Sequence, residues 1–368
     1  MAIHRRPRFS FLIHPRSVTD FDRIPAFRVL KRYSASDAEF VEKTRAQTPL
    51  FLGEVNFGVT PFYGELIGVS RLPEDLVGAA GASYVADAAA VAVARGAPVI
   101  GLGALTAPAT GGGMRLLRRL PPGVTLTNGN GFTAAVVREN VHEALASFRF
   151  GARRPVVGIL GCTGSVGTPA ARLLADDGVD LILVGRSRTR VAHKFSDIPN
   201  AVFADGLDAL AEADVTVILT SDPSAAVSPQ HVGAGSIVID CAQPANVSPQ
   251  AADDFQRRGV RVYEGGAVRI PGYSTSVDLG FDDPRDTFAC LAETYLFARH
   301  GLCDPSTGAP SVAHSRRMAR MAADAGIAIC PLRQVSRPKA NSASSEVGLH
   351  RATTAALGEE REQAGIVA

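Results

Sequence analysis

The feature that most constrains the fold is a glycine-rich turn between an apolar run and a helical pattern. It lies in the segment VVGILGCTGSVGTPAARLLADDGVDLILVGRS, which begins at Val156 and carries Gly161, Gly164 and Gly167. Glycines at such a turn allow a tight reversal, a close approach of backbone to a pyrophosphate, and close packing of helix on strand. The spacing is G-x-x-G-x-x-G, so the motif gains its weight from the complete β-α-β unit around it. The segment predicts a Rossmann-type sheet that binds a dinucleotide; a glycine-rich turn that binds nothing is the alternative.

Further strands are predicted on both sides of this unit. Short apolar runs separated by intervals long enough for parallel crossovers occur at Asp180–Val184, Val215–Leu219, Ser236–Asp240 and Arg261–Tyr263. Upstream, Val99–Leu102 and Val124–Thr127 open into the loops GALTAPATGGG and NGNGFTA, where α/β proteins keep ligand sites. The predicted fold is α/β, with an N-terminal α/β substrate domain, then a Rossmann-type doubly wound parallel sheet and a C-terminal helix.

The same pattern predicts the domain boundaries. We expect a substrate-binding α/β domain over residues 8–151 and an NADP-binding Rossmann domain over residues 152–282. A C-terminal helical segment over residues 283–333 carries Cys290. Residues 336–368 are small, polar and aperiodic, so they predict a disordered tail.

Composition excludes several classes of protein. With 46% apolar and 20% charged residues among 368, and a net charge of +2, the chain is an ordinary globular one without the basic excess of a nucleic-acid partner. No apolar segment is long enough to span a membrane. The five cysteines lack C-x-x-C spacing, which predicts reduced thiols and no metal site. A soluble cytoplasmic enzyme or small-molecule binder is expected.

The residues after Asp180–Val184, the second strand of the predicted Rossmann-type sheet, favour NADPH over NADH. An acidic residue against the ribose hydroxyls is typical of NAD sites, whereas this chain has Arg186, Arg188 and Arg190 there. A guanidinium pairs well with a 2'-phosphate, and Arg186 comes nearest the strand end. A solvated basic loop is the alternative. The residues assigned to the cofactor on this basis are Gly161, Thr163, Gly164, Ser165, Val166, Gly167, Arg186, Arg188, Thr220 and Ser221.

Cys290 is the candidate nucleophile. It stands in DPRDTFACLAETYLFARHG, where a helix is predicted to follow Pro284 with Asp283 as its cap, which would put Cys290 in the second turn. A cysteine on an apolar helix is most often a small core residue. Beside a nicotinamide domain, however, a free thiol can hold an acyl group as a thioester while hydride arrives.

Six segments carry a resemblance to a known family. They are GLGALTAPAT, TNGNGFTAAVV, VVGILGCTGSVGTPAARLL, SIVIDCAQP, GVRVYEGGAVR and DTFACLAETYLFARHG. In these the chain resembles the cyanobacterial long-chain acyl-acyl carrier protein reductases, which form fatty aldehydes. The resemblance implies that Cys290 is acylated by the thioester substrate and that NADPH reduces the acyl-enzyme to an aldehyde.

The resemblance also implies roles for four other residues. Asn130 and Thr133 match a family pattern and are candidates for the substrate-side wall, with an Asn-Gly turn and helix cap as the alternative. Gly265 and Gly266 match a glycine pair near the nicotinamide, with a strand-end turn as the alternative. Cys162 and Cys241 are expected near the cofactor without reacting.

The acid or base of the reaction is not evident beside Cys290 in the sequence. His14, His142 and His231 are possible bases, and Tyr273 is a possible proton donor to the hemithioacetal oxygen. A lone histidine in a chain of this size is more often structural or solvated. Backbone N–H groups can serve as oxyanion donors.

The thioester donor is expected to be an acyl carrier protein or acyl-CoA. The segment HRRPRFSFLIHPRSVTDFDRIPAFRVLKRY has eight Lys or Arg against two Asp, which can steer an acidic carrier, although such a run is more often a solvated face. An aldehyde-consuming partner enzyme is a further possibility. Two rival functions stay open: an NADP-dependent, shikimate-dehydrogenase-like oxidoreductase without a covalent intermediate, and a non-catalytic dinucleotide-binding protein.

Overall fold

The computed structural model describes residues 6–58, 61–148, 153–222 and 225–335. The predicted disordered tail, 336–368, and the predicted boundary at residues 151 and 152 lie outside the described residues.

The strands of the described residues form three sheets. In chain order they are β1 (Phe9–Ile13), β2 (Leu50–Phe57), β3 (Tyr63–Gly68), β4 (Val99–Leu102), β5 (Thr125–Thr127), β6 (Val156–Leu160), β7 (Asp180–Val184), β8 (Val202–Ala204), β9 (Val215–Ile218), β10 (Ile237–Asp240), β11 (Arg261–Glu264), β12 (Ala267–Arg269), β13 (Tyr273–Thr275), β14 (Asp286–Phe288), β15 (Ala328–Ile329) and β16 (Arg333–Gln334).

The α-helices are distributed among these strands. They are α1 (Pro25–Arg32), α2 (Asp37–Arg45), α3 (Pro73–Val77), α4 (Gly81–Ala94), α5 (Thr106–Ala109), α6 (Met114–Leu117), α7 (Asn130–Leu145), α8 (Gly167–Asp176), α9 (Arg188–Lys194), α10 (Pro249–Arg257), α11 (Ala289–His300) and α12 (Val312–Asp324). Short 3-10 helices occur at Val18–Arg23, Leu207–Glu212 and Pro229–His231. Among the described residues, no helix combines the length and the apolar character that crossing a membrane requires.

The second sheet has the strand order of a dinucleotide-binding fold. Its order is β16-β11-β10-β9-β6-β7-β8, and every pair except the antiparallel β11-β16 is parallel. Counted from β6, the parallel strands run 3-2-1-4-5-6 across the sheet, so the order reverses between β6 and β9. The predicted α/β fold with a Rossmann-type parallel sheet is therefore confirmed. Ligands of such sheets bind at this reversal, outside the carboxyl ends of the strands.

The first sheet is mixed. Its order is β13-β2-β3-β1-β4-β5, with β1 parallel to β3 and β4, β4 parallel to β5, and β2 antiparallel to both of its neighbours. The edge strand β13 comes from the part of the chain after the second sheet, so the two sheets are interleaved along the chain. The carboxyl ends of β1, β4 and β5 consequently meet at one edge, and the predicted ligand loops after β4 and β5 start there.

Helix α7 joins the two hydrophobic cores. Its Phe132 and Val136 pack in the core of the first sheet with α11 and α12. Its Ala134, Val137 and Val141 pack in the core under β6 and β9. Two faces of α7 are thus buried, one in each core, and the helix places the loop before it between the two sheets.

The start of α11 differs from the prediction. The helix begins at Ala289, and β14 occupies the residues immediately before it. Asp283 does not cap the helix, because its carboxylate accepts hydrogen bonds from the backbone N–H of Arg285 and from the guanidinium of Arg269. The prediction of a helix following Pro284 was wrong because strand pairing with β12 and these ion pairs take up the residues that the capping pattern assigned to a first turn.

Candidate active site

Cys290 lies at the very start of α11. It is the second residue of the helix, so it is in the first turn and not in the second as predicted. The first N–H groups of a helix have no partner within the helix. Ala104, in the loop after β4, lines the same cavity as Cys290.

The surroundings of Cys290 keep the thiol protonated in the absence of a substrate. Burial raises the pKa of Cys290 to about 12. The backbone N–H groups of Leu291, Cys290 and Ala104 oppose this rise, and the charge of Glu293 adds to it. At neutral pH Cys290 is therefore a neutral thiol.

Gly129 packs directly against Cys290. This glycine has φ +70° and precedes α7, and a Cβ on it would overlap the Cβ and Cα atoms of Cys290. Only glycine combines this left-handed backbone with so close an approach. The loop after β5, which the sequence singled out as NGNGFTA, thus contacts the first turn of α11.

An apolar cavity opens beside Cys290 at the carboxyl edge of the first sheet. Its volume is about 90 Å³, several times the ~10–15 Å³ that one water needs. Its apolar lining comes from β1, the Val18–Arg23 turn, α1, β2, the residues after β3 and those around β14. The lining side chains are Phe11, Ile13, Phe21, Ile24, Phe27, Leu52, Val69, Val277, Leu279, Phe288 and Cys290.

The sequence did not reveal this cavity, because its walls come from distant parts of the chain. The N-terminal segment was predicted to belong to the substrate-binding domain, but its apolar residues Phe21, Ile24 and Phe27, which line the cavity, were not singled out. Three of its cations are in ion pairs: Arg16 with Asp20, Arg23 with Asp278, and Lys31 with Asp22. The aromatic residues of FDRIPAF have amphipathic spacing, which could have indicated that their side chains face the interior of the protein.

Arg16 links the mouth of the cavity to the second sheet. Its guanidinium donates to the Asp20 carboxylate at 2.9 Å, to the Gln243 side-chain oxygen at 3.3 Å and to the Leu279 carbonyl at 3.3 Å. Gln243 follows β10 and also lines the cavity. The cavity is therefore bounded by residues of both sheets.

Glu293, in the second turn of α11, bonds the helix to β5, α7 and α12. Its carboxylate is fully buried and accepts from the Thr127 hydroxyl at 2.8 Å and from the Phe132 backbone N–H at 2.6 Å. His314 of α12 lies 3.2 Å from the same carboxylate. Sequence reasoning missed Glu293 and His314; a carboxylate three residues after Cys290 in an apolar helix was the available signal, since buried charges are almost always partnered.

The glycine-rich loop has the close contacts that a dinucleotide cradle requires. Gly161 has φ +86°, and a Cβ on it would lie 2.9 Å from the Thr220 backbone nitrogen after β9. A Cβ on Gly164 would lie 3.1 Å from the Gly161 carbonyl oxygen, and one on Gly167 would overlap that oxygen. The residues present at the switch point thus fit a pyrophosphate facing the start of α8.

Asn130 connects this loop to the surroundings of the thiol. Its side-chain amide donates to the Ser165 hydroxyl at 2.8 Å, and the residue before it, Gly129, touches Cys290. Thr133 donates to the Gly129 carbonyl at 2.8 Å. Neither Asn130 nor Thr133 lines the apolar cavity; both fix the loop between the thiol and the glycine turn.

Gly265 and Gly266 lie between β11 and the start of α11. The Gly266 carbonyl accepts the Ala289 N–H at 3.1 Å, and the Gly266 N–H donates to Asn140 Oδ1 at 3.0 Å. A Cβ on Gly265 would lie 2.8 Å from the Cys241 sulfur. This glycine pair, predicted near the nicotinamide, therefore reaches the first turn of α11.

The basic residues after β7 lie beside the crevice, which is the space at the carboxyl ends of β6 and β9 where the strand order reverses. Arg186 and Arg188 are exposed. Lys194, at the end of α9, donates from Nζ to the Thr163 carbonyl of the glycine loop at 3.3 Å, and burial lowers its pKa. At the opposite side, Thr220 and Ser221 line a cleft together with Leu105, which follows Ala104.

The other proposed acid and base residues are placed differently. His14 lines the cavity that contains Cys290. His142 pairs with Asp177 at 2.8 Å on the surface of α7, and His231 contacts Ser228 in a 3-10 turn. Tyr273 is buried beside Phe57 on the edge strand β13, where it does not line the cavity.

The remaining cysteines lack the environment of Cys290. Cys162 is fully buried in the glycine loop, and burial raises its pKa to about 12. Burial also raises the pKa of Cys241, which follows β10. Cys303 is exposed after α11, and Cys330 follows β15. Within the described part of the chain, no group of three or more His, Cys, Asp or Glu side chains is arranged to hold a metal ion.

Comparison with characterised proteins finds one relevant sequence relative. No known protein-family profile matches the chain. A long-chain acyl-[acyl-carrier-protein] reductase from Synechococcus elongatus is 29% identical over 182 residues, covering 48% of this chain. The chain spans about half of that relative's length, 52%.

Solved structures share parts of the architecture. A malic enzyme described as putative matches over 84% of its own length and 87% of this chain, at 15% identity and a TM-score of 0.38. A dipicolinate synthase from Bacillus subtilis matches over 66% of its own length and 61% of this chain, at 15% identity and a TM-score of 0.31. An oxidoreductase from Salmonella enterica solved with NADP matches over 43% of its own length and 37% of this chain, at 20% identity and a TM-score of 0.29.

Proposed function

We propose that the protein reduces an acyl thioester to an aldehyde with NADPH, through an acyl-enzyme on Cys290. The observation that carries this is the position of the thiol between an apolar cavity, which it lines, and the glycine-rich loop. Gly129 packs against Cys290, and the next residue, Asn130, donates to Ser165 of the glycine-rich loop. These two residues therefore connect the thiol to the loop. A cavity for the acyl group and a cradle for the cofactor therefore meet at one nucleophile.

In the first half of the reaction the acyl group moves from its carrier to Cys290. The acyl chain occupies the cavity, and the sulfur bonds to the carbonyl carbon as the bond from that carbon to the carrier sulfur breaks. The thiol proton passes to the departing carrier sulfur, so no proton is gained or lost overall. Backbone N–H groups of Ala104 and Leu291, which oppose the rise in the pKa of Cys290, donate to the carbonyl oxygen as charge develops on it.

In the second half the acyl-enzyme is converted to aldehyde. Bound NADPH supplies the hydride for the acyl carbon. The bond from that carbon to the Cys290 sulfur then breaks, the thiolate takes up a proton, and the aldehyde leaves. A pKa as high as that of Cys290 favours recovery of the neutral thiol after each turnover.

The choice of NADPH is supported by the residues around the crevice. The glycine contacts fit a pyrophosphate, and Arg186 and Arg188 are exposed after β7, where a 2'-phosphate would lie. The acyl thioester is supported by the name of the Synechococcus relative, whose identity to this chain is 29% over about half its length.

A carrier protein can dock beside the cavity on α1. This helix directs Phe27 into the cavity and exposes Arg28 and Arg32 together with Val29 (58% exposed) and Tyr33 (76% exposed) at its end. Basic and apolar groups on one exposed helix suit an acidic carrier. Arg28→Glu with Arg32→Glu is expected to raise KM for an acyl-carrier substrate and leave KM for the matching acyl-CoA unchanged; an equal change for both substrates argues against docking here.

The test of the function is intact-protein mass spectrometry of Cys290 acylation. Wild type and Cys290→Ala are each mixed with a long-chain acyl-CoA or acyl-carrier thioester without NADPH, and then NADPH is added. We expect an acyl mass on the wild type alone, lost as aldehyde forms when NADPH is added.

Two other outcomes contradict the proposal and distinguish its rivals. Absence of any adduct, with NADPH consumed in the presence of a ketone, would indicate a dehydrogenase without a covalent step. Absence of an adduct with NADPH bound but not consumed would indicate a non-catalytic dinucleotide-binding protein.

A further inference from the structure

The loop between β4 and α5 has an unusual backbone at the residue nearest the thiol. Ala104 has φ +48°, a left-handed conformation that a residue with a Cβ adopts at a cost in free energy. Such a conformation persists only where the surrounding structure determines it, and it is concentrated at functional sites. The neighbours that hold Ala104 in place therefore indicate what the conformation serves.

Three successive N–H groups of this loop have different destinations. That of Gly103 donates to the Leu12 carbonyl at 2.9 Å, which continues the pairing of β1. That of Leu105 donates to His14 Nε2 at 3.1 Å. Ala104, between them, lines the cavity beside Cys290, and its N–H is one of the groups that oppose the rise in the pKa of Cys290. Bonds on both sides thus fix Ala104 where it lines the cavity with the thiol.

The bonding of His14 is suited to this role and to no proton transfer. Its Nδ1 lies 2.8 Å from the Pro15 carbonyl, which can only accept, so Nδ1 carries the hydrogen and Nε2 is the acceptor for Leu105. The ring is 7% exposed, and burial lowers its pKa to about 4, so it stays neutral at physiological pH. The acceptor nitrogen is therefore permanently available to the loop.

We infer that His14 is a positioning residue that, by accepting the Leu105 N–H, holds Ala104 in its left-handed conformation and so directs the Ala104 N–H at the reacting carbonyl group on Cys290. This rests on the proposed function, because the N–H is an oxyanion donor only if Cys290 attacks a thioester. His14 itself touches no reacting atom. Its effect is on the rate of acyl transfer and not on affinity for the acyl chain.

Two substitutions separate the two bonds of His14. Gln carries a side-chain oxygen near the place of Nε2 and can accept from Leu105. Asn is shorter, so it can replace the donor to Pro15 but does not reach Leu105. The single-turnover rate and the thioester concentration at half-saturation are measured for Cys290 acylation without NADPH, by intact-protein mass spectrometry, in His14→Gln, His14→Asn and wild type. The rate of Cys290 alkylation by iodoacetamide is followed against pH in the same proteins.

Removing one oxyanion donor outright lowers the rate about a hundredfold. His14→Asn is expected to misalign one such donor, so the loss in rate should not exceed this. His14→Asn is expected to slow acylation by about tenfold to a hundredfold at unchanged half-saturation, and to move the alkylation profile to higher pH. His14→Gln is expected to keep the rate within about threefold of wild type. Equal rates in all three proteins, equal losses in both variants, or a change in half-saturation alone would overturn the inference and leave His14 as packing.

A second comparison applies if His14→Asn does not fold. Glycine adopts the left-handed conformation without the cost of a Cβ, so Ala104→Gly with His14→Asn is expected to recover at least part of the lost rate or fold. No recovery would also overturn the inference. Failure of the proposed function is distinguishable, since in that case the wild type itself forms no acyl adduct.

Discussion

The crevice of the second sheet and the cavity of the first differ in how the chain builds them. The crevice is mostly local: its glycine turn and the helix that follows come from residues 156–176, and the turn meets Thr220 after β9. The cavity is assembled from strands, a 3-10 turn and loops spread between Phe11 and Cys290. A local unit needs only the right residues in sequence, whereas an assembled one also needs both sheets in their final places.

Burial favours the neutral form of titratable groups in both regions, which shifts the pKa of a base and that of an acid in opposite directions. In the cavity, burial lowers the pKa of His14 to about 4. At the end of β10, burial raises the pKa of Asp240 to about 6, against the backbone N–H groups of Val247, Ala242 and Asn246 that donate to its carboxylate. In both places desolvation favours the neutral form.

The largest expected difference between the regions is in their thiols. Cys290→Ala is expected to lower the rate of aldehyde formation at least a thousandfold, on the order of 4 kcal/mol, because it removes the nucleophile. Cys241→Ala, the matched change beside the crevice, is expected to leave the rate within a few fold. The check is kcat for aldehyde release with each variant. Comparable losses in both variants, or a normal rate for Cys290→Ala, would contradict the assignment of the nucleophile.

The second prediction concerns stability against pH and comes from His14. Unfolding raises the pKa of His14 from about 4 to 6.5. The unfolded chain therefore binds the extra proton between these values, and the free energy of unfolding falls as pH is lowered from 6.5 to 4. Burial is the main cause; the nearby charges of Asp20 and Arg16 act in opposite directions.

The measurement is the difference in unfolding free energy between His14→Gln and wild type by denaturant titration. Relative to the variant, the wild type is expected to lose about 3 kcal/mol as pH falls from 6.5 to 4. Asp240 titrates in both proteins and cancels in the difference. A difference that does not change with pH would show that His14 is charged or accessible in the folded protein.

The third prediction concerns a substitution that weakens cofactor binding in the crevice without changing the cavity. Gly161→Ala places a Cβ 2.9 Å from the Thr220 nitrogen, on a residue with φ +86°. The strain and the displaced backbone are expected to cost ~2 kcal/mol of binding free energy, which raises Kd for NADPH about thirtyfold. Gly178→Ala is the control, since Gly178 has φ +77° but open space around it. Titration of cofactor fluorescence gives Kd for each.

Acylation of Cys290 without NADPH is expected to be unchanged in Gly161→Ala. A parallel loss of acylation and cofactor binding would mean that the two regions do not act separately. An equal rise in Kd for Gly178→Ala would assign the effect to general destabilisation.

The smallest expected effect is on which lengths of acyl group the cavity accepts. Leu52→Phe adds about the volume of one methylene to the cavity wall, so KM for the longest accepted acyl group is expected to rise about fourfold, ~0.8 kcal/mol. KM for an acyl group a few carbons shorter is expected to stay unchanged. Leu302→Phe is the control, because Leu302 packs against the same core without lining the cavity. No dependence on acyl length would remove the cavity as the acyl site.

Much of the second sheet could be predicted from the sequence. The strands Asp180–Val184, Val215–Ile218 and Ile237–Asp240 occur where their apolar runs indicated, and the glycine turn leads into α8. Such features depend on contacts between near neighbours in the chain, for which residue type and spacing are sufficient. The start of α11 was mispredicted because a tertiary pairing, β14 with β12, outcompeted a plausible local cap.

By itself, the sequence determined that the chain has an α/β fold with a glycine-rich turn opening a parallel sheet, and it singled out Cys290 through resemblance. Only the tertiary structure decided what surrounds that thiol: Gly129 is in contact with it, Ala104 lines the same cavity, His14 accepts from the loop after β4, and Glu293 bonds α11 to Thr127 and Phe132. These neighbours are up to 276 positions away in the chain (290 minus 14). Contacts across such separations depend on how the sheets interleave, which no local pattern of residues encodes.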